Sequence, residues 1–201
     1  MTRRSAHVIG LATLVFSALY FVSDLIEARQ GGFSDGQLWL TLVAEAAVPI
    51  FVVGLALAQR PRLSRLGMWS ALAYAYSYVY FTGTVVYALV NGTKDYATLT
   101  DALGAVMLLH GVVMVVAGLG FGYAVLRARE LPAWTAVVFM AGVVLVAATQ
   151  GLPEIVQLTA AGLRALGLVG MGAGLLRGMP MLVIPRPSQR DSLTESARVR
   201  R

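Results

Sequence analysis

Two charged residues set deep in apolar sequence, Glu45 and Arg164, offer the most chemistry in this 201-residue chain. An ionisable group inside a membrane span costs roughly 2.5–3.5 kcal/mol, so it faces the protein interior or a water-filled cavity. Arginine keeps its charge there and needs a partner. At a rise of about 1.5 Å per residue, Glu45 lies roughly 10 Å and Arg164 roughly 15 Å from the same end of their spans. Glu45 is the only carboxylate at comparable depth, which predicts a Glu45–Arg164 ion pair. His110, roughly 13 Å deep by the same rise, is expected as a third member or as a wall of the pocket. The plainer alternative is that the pair fixes helix register and His110 packs as a satisfied core histidine.

Helical spacing extends the polar set. Ser17, Tyr20, Asp24 and Glu27 recur three and four residues apart, as do Gln37, Thr41 and Glu45, so each group shares one helix face. A third stripe is Tyr76, Tyr80, Thr84, Tyr87 and Asn91, and a fourth is Glu154, Gln157 and Arg164. These stripes predict an outward-opening pocket whose ligand-binding residues are Glu45, Tyr76, Tyr80, Thr84, His110, Gln157 and Arg164. If the chemistry is acid–base catalysis, Glu45 or Asp24 is the candidate acid.

Other chemistries lack their residues. With no cysteine, thiolate metal sites, iron–sulfur clusters and thiol nucleophiles are excluded. His7 and His110 fall at opposite ends of the bundle and cannot ligate a haem together. No zinc-ligand spacing, nucleophile elbow, Walker loop or dinucleotide fingerprint occurs. Neither a metal nor a cofactor is expected.

The elements that must position these residues are membrane helices. The chain is 58% hydrophobic and 13% charged, with a mean hydropathy of +0.73. Soluble domains carry about 25% charged residues. Stretches at 7–26, 38–58, 66–90, 99–126, 133–149 and 155–176 are each long enough to cross a hydrocarbon core. The prediction is an all-α polytopic bundle of six transmembrane helices over residues 1–180, followed by a polar, basic, disordered tail at 181–201; the rival is a single buried hairpin at the short fifth stretch and the sixth, joined only by residues 150–154. Thirteen Lys and Arg residues fall at one set of loops and ends, and only Arg29 and Lys94 at the other. By the positive-inside rule both termini are cytoplasmic. The positive charge therefore has a membrane explanation, and without interleaved aromatics it does not point to nucleic acid. Fifteen Arg against one Lys, with the richness in Ala, Gly and Val, suggest a high-GC bacterium, so the expected location of the bundle is a bacterial cytoplasmic (inner) membrane.

Close helix approach in lipid depends on small residues. Gly118/Gly122 and Gly170/Gly174 mark the fourth and sixth helices as the expected tightest pair, or as faces for a homo- or hetero-oligomer. Besides membrane lipids, a small molecule from the outer side is the expected partner. In size, span number and orientation the chain is similar to the substrate-capture subunits of energy-coupling-factor transporters. Three functions fit: a small-molecule binding or transport protein, a membrane-embedded acid/base enzyme on a lipid or isoprenoid, and an accessory subunit.

Overall fold

The computed structural model describes residues 1–178, so the predicted 181–201 tail lies outside the described residues. Over these the chain forms six helices: α1 (Arg3–Gln30), α2 (Asp35–Ala58), α3 (Arg65–Asn91), α4 (Tyr96–Ala128), α5 (Ala133–Ala148) and α6 (Glu154–Leu176). Each start and stop has a local cause. Thr2, Ser34, Ser64 and Asp95 accept a hydrogen bond from a backbone N–H of the first turn of α1 to α4. Pro132 and Pro153 precede α5 and α6, and Gly31 and Gly92 end α1 and α3 with positive φ.

α1, α2, α4 and α6 are long and apolar enough to cross a membrane. α3, at 27 residues, is longer than α2, but Tyr74, Tyr76, Tyr78, Tyr80 and Tyr87 lower its hydropathy. α5 is apolar and has only 16 residues. Each helix packs on the next, and α6 returns to α1, closing a ring in chain order. The connections are short, so direction alternates. The terminal end of the bundle holds the N-terminus, the α2–α3 and α4–α5 turns and the close of α6. The far end holds the other three turns.

Phe51, Tyr74, Phe121, Phe139 and Met171 fill the ring in its terminal half with large, fully buried side chains. Ile50, Val90 and Leu108 are exposed around the outside, on the surface a bilayer would cover. A smaller core of Leu38, Val85, Ala88, Leu99 and Met107 holds the far halves of α2, α3 and α4 together.

The ring order corrects the expected pairing of the glycine helices. α4 packs on α3 and α5, and α6 on α5 and α1. A Cβ on Gly118 would meet Tyr74 and Val143, and one on Gly122 would meet Met140. Gly170 faces Trp134 and Thr135, and Gly174 faces Pro132. The four glycines expected at an oligomer face are thus used inside the bundle. The closest backbone approaches are Gly142 and Gly167, which seat α5 and α6 together, and Gly10 on Gly172.

α4 is broken near the far end. Gly104 has φ 54° and ψ −135°, which separates residues 96–103 from 105–128. Only glycine adopts that combination without strain. The α4–α5 seam also loosens toward the far end. Gly111 lies seven residues before Gly118 on the same face, yet a Cβ there would meet nothing within 4 Å.

Candidate functional site

The far half of α1 and α2 carries a buried polar seam. Gln37 Nε2 donates to Thr41 Oγ1 at 2.9 Å, Ser23 Oγ at 3.1 Å and Glu27 Oε2 at 3.3 Å. The Thr41 hydroxyl donates back to the Gln37 carbonyl at 3.1 Å, and Ser23 donates to the same oxygen at 3.2 Å. Alternation at three and four residues on both helices makes this possible. It presents one polar face per helix, and the two faces meet.

At the deep end of the seam lies a charged cluster. Tyr20 donates its hydroxyl to Glu45 Oε1, and Glu45 is only 4% exposed. The Arg164 guanidinium reaches from α6 to Asp24 Oδ2 at 3.6 Å and lies over the Tyr20 ring, 4.7 Å from its centroid. Tyr78 meets Tyr20 edge-on at 6.2 Å. The predicted Glu45–Arg164 contact is therefore corrected: the carboxylate beside Arg164 is Asp24, and Tyr20 stands between Arg164 and Glu45. The depths were similar, but the rotation of α1 turns Asp24 toward α6.

Glu45 Oε2, Ser17 Oγ and Gln37 Oε1 are buried without a hydrogen-bond partner among the described residues. Ser17, Tyr20, Tyr78 and Arg164 line a cavity of about 10 Å³, close to the smallest that holds one water. The cluster is closed in this conformation. A larger groove of about 290 Å³ lies between α5 and α6, lined by Leu145, Thr149, Ile155, Val156, Thr159 and Ala160. It is apolar and holds none of the predicted site residues.

The remaining expected site residues lie elsewhere. Tyr76 and Tyr80 are on the outside of the ring with His110. The Tyr80 and His110 rings stack at 3.7 Å, and the Tyr76 hydroxyl lies 3.3 Å from His110 Nε2. His110 Nδ1 lies 2.8 Å from the Val106 carbonyl. The reason is geometric: Tyr74 and Tyr78 take the inward face of α3, and a residue two positions on points the opposite way. His110 is thus neither a member of the Arg164 cluster nor a wall of its cavity. Thr84 is buried but donates to the Phe81 carbonyl at 2.8 Å, and Gln157 donates to the Leu152 carbonyl at 2.7 Å. Both serve their own local backbone.

No protein-family model, curated protein or solved structure matches this chain. The likeness to energy-coupling-factor capture subunits thus stops at size and span number, and what the chain does must be argued from the cluster itself. Among the described residues no three of His, Cys, Asp and Glu come together as a metal site would require. Sequence reasoning placed Tyr20 and Asp24 on the right stripe but did not name Tyr20 or Tyr78 as site residues. The usable signal for Tyr20 was its position four residues before Asp24, one turn deeper in the span.

Proposed function

We propose that this protein is a carrier or binding protein of a bacterial cytoplasmic membrane, both termini inside, with a site that opens at the far end toward the outside. The site takes a small molecule bearing a basic group. The observation that supports this most directly is the unpartnered Glu45 Oε2, beside an Arg164 already engaged by Asp24 and Tyr20. Arg164 has little left to offer an anion. Glu45 has an oxygen to offer a donor, and the tyrosine faces around it suit a cation. Since the cluster is closed, binding requires a movement. Residues 96–103, joined to the rest of α4 at Gly104, are the segment best placed to supply it.

The test is thermal unfolding of the purified protein with a panel of methylammonium, choline, guanidinium and spermidine, with acetate and glucose as controls. Stabilisation by one of the cations that saturates, and that Glu45→Gln abolishes, supports the reading. Equal behaviour toward every compound counts against it.

A second reading, a non-catalytic accessory subunit, is favoured by the tight closure of the cluster. It predicts that the paired replacement of Asp24 by Asn and Arg164 by Met leaves folding and cellular function intact, since an ion pair replaced as a whole is often neutral.

A further inference from the structure

We infer that Glu45 holds a proton in the resting protein, making it a built-in proton site at mid-bundle. This concerns the occupancy of one carboxyl group, goes beyond the ligand reading and does not depend on it.

The argument is a count of charges in a confined place. The ionisable groups close enough to act on Glu45 are Tyr20, Asp24 and Glu27 from α1, Tyr78 from α3, Tyr96 from α4 and Arg164 from α6. Glu27 is only partly buried and sits at the rim, bonded to Gln37. Around the one guanidinium this leaves two carboxyl groups, Asp24 in contact with it and Glu45 beyond Tyr20. Asp24 is paired with Arg164, while Glu45 is bonded only to a neutral phenol and keeps one buried oxygen without a partner. A bare carboxylate so placed is far costlier than its neutral form. One positive charge resolves the surplus.

That charge is a proton rather than a metal ion. A hard cation collects several oxygens. Here one carboxylate oxygen is free, and the other faces the Tyr20 O–H. A proton needs a single oxygen. Tyr20, bonded to Glu45 and lining the small cavity that Ser17 also borders, is the polar group that connects Glu45 to it. A basic ligand at Glu45 would displace that proton, which links the two proposals without making either depend on the other.

The experiment is infrared spectroscopy of the full-length protein in lipid at neutral pH. The expected result is a protonated-carboxyl C=O band that shifts in D₂O and disappears in Glu45→Gln, while Asp24→Asn retains it. Should Glu45→Gln fail to fold, protein labelled with ¹³C-carboxyl glutamate and carrying Glu27→Gln keeps the inference testable, because the band must still move with the label when the other glutamate of the cluster is gone. A spectrum without a protonated-carboxyl band overturns the inference. So does a band that moves with labelled aspartate, or one that survives in Glu45→Gln. None of these results depends on whether a ligand is ever found.

Discussion

Gly142 and Arg164 meet backbone to backbone: a Cβ on Gly142 would come within 2.2 Å of the Arg164 amide nitrogen and 2.5 Å of its Cα. The position of the guanidinium is thus set from behind by the absence of a side chain on α5. Gly142→Ala must push α6 away and carry Arg164 off Asp24. Overpacking of this kind costs about 1–3 kcal/mol. Thermal unfolding should show the loss, whereas Gly111→Ala, with nothing within 4 Å of the new methyl, should leave stability unchanged or raise it by up to about 1 kcal/mol. Equal effects from the two changes would contradict the packing described.

Asp24 and Arg164 are expected to be coupled. Arg164→Met alone leaves Asp24 without its cation at a site where its side chain is 23% exposed. Breaking a buried pair costs 3–5 kcal/mol, and partial exposure places this one at about 3 kcal/mol or less. Adding Asp24→Asn should restore most of the stability, so the double-mutant cycle should give a coupling of about 1–3 kcal/mol. Repeating the cycle with Glu45→Gln in place of Asp24→Asn should give a smaller value, because Tyr20 intervenes.

Orientation can be read directly, since the chain has no native cysteine. Ser64→Cys in the α2–α3 turn should react with a membrane-impermeant maleimide only after the cells are opened. Thr93→Cys, in the α3–α4 turn, should react with intact cells. The reverse pattern would invert the bundle and turn the cluster toward the cytoplasm.

One acid transition should belong to the start of α4. Asp95 accepts the Thr98 amide at 2.7 Å, and hydrogen bonds from Thr98 hold its carboxyl below the usual carboxylate range. A carboxyl group depressed by folding stabilises the folded state above its unfolded pKa, and that contribution fades as pH falls through the lower folded value. Asp95→Asn keeps a capping oxygen without the charge. Protection against hydrogen exchange in residues 96–103, taken relative to the intrinsic amide rate at each pH, should therefore fall on acidification in the wild type, and less steeply in the variant.

The helices were legible because apolar length and proline or glycine punctuation are local signals. The polar stripes on α1 and α2 were legible for the same reason: Tyr20, Asp24, Gln37, Thr41 and Glu45 declare a face by spacing alone. Which faces meet is a property of ring order and helix rotation, and spacing is silent on both. Asp24 therefore took the place expected of Glu45 beside Arg164. The tyrosine run of α3 misled in another way. Four tyrosines at every second position cannot share one side of a helix, so Tyr74 and Tyr78 entered the core while Tyr76 and Tyr80 stayed outside with His110. The glycine spacings were real contact signals, but for neighbours on the ring rather than for each other.

The break at Gly104 changes what α4 is. Counted from residue 105, its continuous part is 24 residues, the same length as α2, so the extra turns at 96–103 are surplus to the crossing. Amides and carbonyls freed at such a break cannot be left facing hydrocarbon. The segment must therefore keep them against protein or water, at the far end of the bundle where Leu99 packs with Leu38, Val85 and Ala88. The bundle thus has a rim piece whose direction is set at Gly104 rather than by the axis of α4, and which is held in place by Leu99 in the far-end core.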